Sequence, residues 1–153
     1  MKRVFVWMLA AIMLLSMAAC GTEEPAEKAD LSNLYDACTA SMTPMMLVEG
    51  DTRRDFMGIE EEDCLQVFTA FAEDGLLTDE LWLIEAKDQA AFDRLKALAE
   101  GRMEAKKEET VSYSPEQYAV VEQGVILEKG LYLVLIVSPN VDVIRADVEM
   151  FLK

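Results

Sequence analysis

Histidine is absent from this 153-residue sequence. That absence excludes Ser-His-Asp and Cys-His catalysis, the common zinc centres and any imidazole pH switch. Cysteine is scarce: only Cys20, Cys38 and Cys64 occur. No C-x-x-C pairs them, so a thioredoxin-like redox role has no support. A phosphate-binding loop and a Ser or Cys nucleophile motif are also missing. Positive charge is in short supply, with 14 Lys and Arg against 29 Asp and Glu, a formal net charge of −15. A surface of that sign repels nucleic acid and anionic lipid headgroups. Finally, the one long apolar run, Val4 to Leu15, falls short of the roughly 20 residues needed to span a bilayer. Its C-terminal flank is acidic (Glu23, Glu24, Glu27), unlike the basic flank of a stop-transfer segment.

The features that are present begin with that run. Lys2 and Arg3 precede it, Ser16-Met17-Ala18-Ala19 come after it, and Cys20 closes it. A basic start, an apolar centre and small residues before a cut site make a secretory signal. Small residues immediately ahead of a cysteine resemble the lipobox of bacterial lipoproteins, with Met17 where Leu is usual. The resemblance implies cleavage between Ala19 and Cys20 and a diacylglyceryl group on the Cys20 sulfur. Two acyl chains at one residue suffice for stable anchoring. The expected location is therefore the extracytoplasmic face of the cell membrane, lipid-anchored, with the membrane as first partner and no nucleic acid.

Removing residues 1–19 leaves 134 of the 153 residues, one domain's worth and enough for a core without disulfide staples. The signal carries two positive charges and no negative ones, so the processed chain is at −17, which is −15 less 2. Residues 20–29 read as the lipidated cysteine and a flexible acidic linker. Residues 30–153 read as a single α+β domain.

Within that domain Asp30 is a candidate N-cap. Leu31, Leu34, Tyr35, Cys38, Met42 and Met45 then recur at helical spacing until Pro44 bends or ends the helix. That places Cys38 on an apolar face, as a small core residue. Asp51 is a candidate cap for a short helix that Gly58 ends. Leu65, Val67, Thr69 and Phe71 alternate as on one face of a strand. Glu80 to Ala86 reads as a second strand, with Leu81, Leu83 and Glu85 on one side and Trp82, Ile84 and Ala86 on the other. Asp88 caps a long helix over 89–108 with a stripe of Phe92, Leu95, Leu98, Ala99 and Met103. Ser114-Pro115-Glu116-Gln117 starts a short helix that ends at Gly124. Val125 to Leu127 and Leu131 to Val137 flank the turn Glu128-Lys129-Gly130 as a hairpin. The second of these strands, LYLVLIV, has no polar interruption apart from the tyrosine hydroxyl, which fits a central strand covered on both faces. Val141, Ile144, Val148 and Phe151 mark a last amphipathic helix. The expected fold is an antiparallel sheet of about four strands, built from hairpins and packed with amphipathic helices.

The combined pattern of lipobox, acidic linker, the ELWLIEAKD segment (Glu80 to Asp88), the long charged helix and the Gly-Leu-Tyr-Leu-Val strand (Gly130 to Val134) resembles the family called domain of unknown function 4358. That family comprises small lipoproteins of Gram-positive bacteria, and the resemblance spans about residues 30–153. It implies an extracytoplasmic lipoprotein with no assigned activity, and it carries over no catalytic or ligand residue.

Candidate chemistry is sparse. Glu60 to Asp63 is a carboxylate-dense stretch of the kind Ca²⁺ uses, but it lacks D-x-D-x-D-G spacing and reads better as a solvated charge run. Two carboxylates across a cleft could hydrolyse a glycosidic bond. With 29 acidic residues, however, some pair will always look suitable. Lys87 beside Asp88 could meet an anion at a helix start, although a snorkelling lysine next to a cap explains it as well. Trp82 and Tyr132 sit on the two best strands and are core residues unless exposed, in which case their strand faces would be binding surfaces. No catalytic residue, metal ligand or cofactor is indicated. The expected function is non-catalytic: a binding or envelope-assembly module, possible partner an envelope protein. The rival is a small carboxylate-dependent envelope hydrolase.

Overall fold

A computed structural model describes residues 29–153. The signal, the Ala19–Cys20 cut site and all but the last residue of the linker lie outside that range. In chain order the elements are α1 (Leu31–Thr39), β1 (Met45–Val48), α2 (Gly50–Met57), a 3₁₀ turn (Glu61–Asp63), β2 (Cys64–Ala72), β3 (Glu80–Ala86), α3 (Gln89–Val111), α4 (Pro115–Gln123), β4 (Val125–Lys129), β5 (Tyr132–Val137) and α5 (Val141–Phe151).

The strands form one antiparallel sheet in the order β1-β2-β3-β5-β4. The α+β class and the two hairpins agree with the sequence reading, as does the strand over 65–72. The sheet has five strands where about four were expected. The additional one, β1, is a four-residue edge strand whose Met45 falls at the helical spacing of the first helix. That helix ends at Thr39. Met42 and Met45 keep helical spacing by coincidence, and Pro44, which lacks an N–H, stands just outside the strand where it disturbs no ladder. Two boundary details also differ. Glu49, not Asp51, precedes α2 as its cap residue, and no side chain closes that cap. Leu152, not Phe151, completes the buried face of α5. Gly58 does end α2 with φ 73°, the left-handed conformation that glycine adopts without a steric penalty.

Side-chain alternation divides the core into two layers. Trp82, Ile84, Ala86, Leu133, Leu135 and Val137 point toward α3, where they meet Phe92, Leu95, Ala99 and Met103, with Met57 and Val121 at the sides. Leu81, Leu83, Val134 and Ile136 point the other way, onto Leu31, Leu34 and Cys38 of α1 and Ile144 and Val148 of α5. The central strands are thus covered on both faces, and their apolar continuity is a consequence of that position. Cys38 and Cys64 are free thiols. Burial pushes the Cys38 thiol up to about 12 and the Cys64 thiol up to about 11, so neither is a ready nucleophile.

Candidate functional site

β3 opens with a charged residue that its apolar neighbours would not lead one to expect. Glu80 faces the α3 side of the sheet, as Trp82 does, and its side chain is 0% exposed. Burying a lone carboxylate there would be prohibitive. The chain supplies partners instead. Trp82 Nε1 donates to Oε1 at 2.8 Å. Arg102 donates through Nε at 3.0 and 3.1 Å and through Nη2 at 2.8 Å. Lys106 Nζ donates to Oε2 at 2.8 Å. Burial alone would raise the Glu80 pKa. The hydrogen bonds and charges of Arg102 and Lys106 together outweigh it and hold the carboxyl below the usual range.

The helix delivers both cations to one place because residues 102 and 106 stand one turn apart. The backbone continues the buried stripe: after Leu95, Ala99 and Met103 come Lys106 and Thr110, which are also buried. Thr110 Oγ1 donates to the Lys106 carbonyl at 2.7 Å. Arg102 and Lys106 then line a cavity of about 320 Å³ together with Phe56, Phe71, Leu77 and Tyr113, with Glu73 and Glu109 also in its lining. That volume is at the lower end of small-molecule sites. The loop between β2 and β3 walls one side and is pinned by Gln117 of α4, whose Oε1 accepts from the Thr78 N–H and hydroxyl, each at 2.9 Å. Phe56 and Tyr113 are 74% and 61% exposed, so the apolar part of the lining reaches solvent.

Asp79, one residue earlier, stands just before β3 and lines the same cavity. Ser138 and the Thr43 backbone hydrogen-bond it, and the Lys106 charge acts on it. It is buried, one carboxylate oxygen has no partner among the described residues, and burial raises its pKa.

Cys20 lies outside the described residues. Lys87 Nζ is 3.3 Å from Asp63 Oδ1, and Asp63 also accepts from Arg94, through Nε at 3.0 Å and through Nη2. Trp82 is fully buried and Tyr132 half-buried. They pack into opposite layers of the core, so Lys87, Trp82 and Tyr132 do not make one surface. In the acidic cluster, Glu61 pairs with Arg53 and Asp63 with Lys87 and Arg94. Among the described residues no group of three or more His, Cys, Asp or Glu is placed to hold a metal ion. No helix among them is long and apolar enough to cross a membrane.

The Glu80–Arg102–Lys106 cluster was missed in the sequence because its members stand 22 and 26 residues apart. A signal did exist: an acid at an inward strand position, and a lysine at the next position of an apolar helical stripe.

The family model described as Domain of unknown function (DUF4358) matches residues 38–138. The chain belongs to that family. The match takes in β1 to β5, α2 to α4 and every residue that lines the DUF4358 cavity over Glu80. No curated protein and no solved structure matches the chain.

Proposed function

We propose that this DUF4358 chain is a lipid-anchored, non-catalytic binding module on the extracytoplasmic face of the cell membrane. Cys20 carries the anchor in this reading, and the cavity above Glu80 takes the ligand. One observation carries the binding role. Glu80 is saturated with donors beneath a cavity with aromatic walls, so it serves to fix Arg102 and Lys106 in place.

The hydrolase alternative has less support: Asp79, with its raised pKa and one unpartnered oxygen, is a single carboxyl of the lining suited to acid catalysis, where glycosidic hydrolysis uses a pair. A general acid needs a raised pKa and a general base a free lone pair facing substrate. The Glu80 carboxyl is held below its usual range and is occupied by three side chains. The Thr78 and Thr110 hydroxyls are likewise engaged with Gln117 and the Lys106 carbonyl.

Two measurements test the proposal. Metabolic labelling with a palmitate analogue should mark the wild type and not Cys20→Ala, and equal labelling of both would refute the anchor. A thermal-shift screen of small metabolites on the full chain in detergent micelles should find compounds that raise the melting temperature of the wild type but not of Tyr113→Ala. A screen in which every hit acts equally on both would refute the cavity as the binding site.

A further inference from the structure

The charges beneath the cavity do not balance. Glu80 contributes one negative charge, and Arg102 and Lys106 contribute two positive ones in direct contact with it. The Lys106 side chain is 7% exposed and that of Arg102 28%. Excess charge in such a place is costly unless an opposite charge meets it. Two further carboxylates of the lining act on the pair without forming an ion pair with it. Asp79 influences Lys106 electrostatically, while its own hydrogen bonds go to Ser138 and the Thr43 backbone. Glu109 influences Arg102 but forms no ion pair with it.

The donors are also incompletely used. Arg102 directs Nε and Nη2 to Glu80, while Nη1 has no hydrogen bond among the described residues. The Lys106 ammonium has three protons and gives one to Glu80. Above these donors stand Phe56, Phe71, Leu77 and Tyr113. Exposed apolar side chains gathered at one opening mark a contact surface. Glu73, Asp79 and Glu109 also stand in the lining, which disfavours a second negative charge on whatever enters.

Taking the cavity as the binding site proposed above, we infer that its ligand is a small organic monocarboxylate with an apolar body. The carboxylate meets Arg102 Nη1 and the Lys106 ammonium, and the apolar body rests on Phe56 and Tyr113. Guanidinium and ammonium donors fixed by a buried counter-ion are preorganised for such a head group. The carboxylates in the lining repel a phosphate dianion more strongly than a monoanion.

Such a carboxylate can come from a free acid or from the C-terminus of a peptide, and calorimetric titration distinguishes them. The full chain in detergent micelles is titrated with 3-phenylpropanoate, with N-acetyl-alanyl-phenylalanine, and with two controls of similar shape, phenethylamine and 3-phenylpropan-1-ol. The expected result is that at least one carboxylate binds about tenfold or more tighter than both controls, the usual weight of a hydrogen bond to a charged group. The tighter of the two carboxylates identifies the source. Arg102→Lys should weaken that binding by a similar factor, and Tyr113→Ala by about fivefold. Tyr113 is exposed, so its variant retains the fold even if Arg102→Lys does not. Melting curves of both variants establish which is folded.

Amine or alcohol binding as tight as the carboxylates, weakened by Tyr113→Ala, would overturn the inference and leave the cavity as the site. Carboxylate binding unaffected by Tyr113→Ala would overturn both. Absence of binding by either carboxylate at millimolar concentration would overturn the inference, and the metabolite screen would then decide the cavity separately.

Discussion

Two clusters in this protein share one composition: a carboxylate between an arginine and a lysine. Around Glu80 the side chains of the acid, Arg102 and Lys106 are 0%, 28% and 7% exposed. Around Asp63 the acid, Arg94 and Lys87 are 11%, 54% and 37% exposed. Both carboxyls are held below their usual pKa range. Burial opposes the shift at both: for Asp63 the Arg94 hydrogen bond alone exceeds it, whereas for Glu80 burial is the largest single influence and only Arg102 and Lys106 together overcome it. Water solvates the cations of the Asp63 cluster and weakens the mutual dependence of its members. It has little access to Lys106 and none to Glu80, so there each charge depends on the others. The same three side-chain types therefore tie the 3₁₀ turn to α3 in one place and form the charged base of a cavity in the other.

The largest expected effect breaks the buried cluster. Glu80→Gln keeps the shape and removes the charge, leaving Arg102 and Lys106 without their counter-ion. Denaturant titration should show a loss of about 3–5 kcal/mol, the range for removing one partner of a buried ion pair. Leu135→Ala sets an apolar benchmark in the same core layer. Leu135 is 0% exposed, and emptying a packed aliphatic site costs about 2–5 kcal/mol. If Glu80→Gln costs far less than Leu135→Ala, the buried cluster is no more interdependent than the surface one. Asp63→Asn should produce a much smaller fall in melting temperature than Glu80→Gln. High salt should reduce the Asp63→Asn effect while leaving that of Glu80→Gln nearly unchanged, because exposed charges are screened and buried ones are not. The smallest expected effect concerns the thiols. Cys38 and Cys64 are unpaired, so melts with and without reductant should coincide. A large fall on reduction would contradict the free thiols.

The fold was legible wherever burial wrote itself into periodicity. Strand β5 alternates between two apolar layers and has almost no polar residue because it is covered on both sides. The caps at Asp30, Asp88 and Ser114 all accept hydrogen bonds from the helix starts they were expected to close. β1 was not legible, since four residues cannot establish a period and Met45 matched helical spacing by chance. The cavity was not legible either, because it depends on where β3 and the C-terminal half of α3 meet. A residue-by-residue reading puts Lys106 with Arg94, Lys96 and Lys107 on the outside of a long helix and passes over Arg102. Lys106 is instead buried, because the register of Leu95, Ala99 and Met103 continues one turn further.

The pH dependence of stability separates the contributions by sign. Glu80 and Asp63 have depressed folded-state pKa values. They stabilise the fold above their unfolded values, and that contribution is lost as pH falls through the folded ones. Asp79 is raised, so its contribution runs the other way: it is fully present below the unfolded value and is lost as pH rises through the folded one. The most direct test of the central claim is therefore a ¹³C NMR titration of the Glu80 carboxyl carbon in the folded protein. If Arg102 and Lys106 hold Glu80 ionised beneath the cavity, its midpoint will lie below the ordinary glutamate value of 4.5, and the Trp82 indole N–H signal will shift with it. A midpoint at or above that value, with the fold intact, would contradict the account.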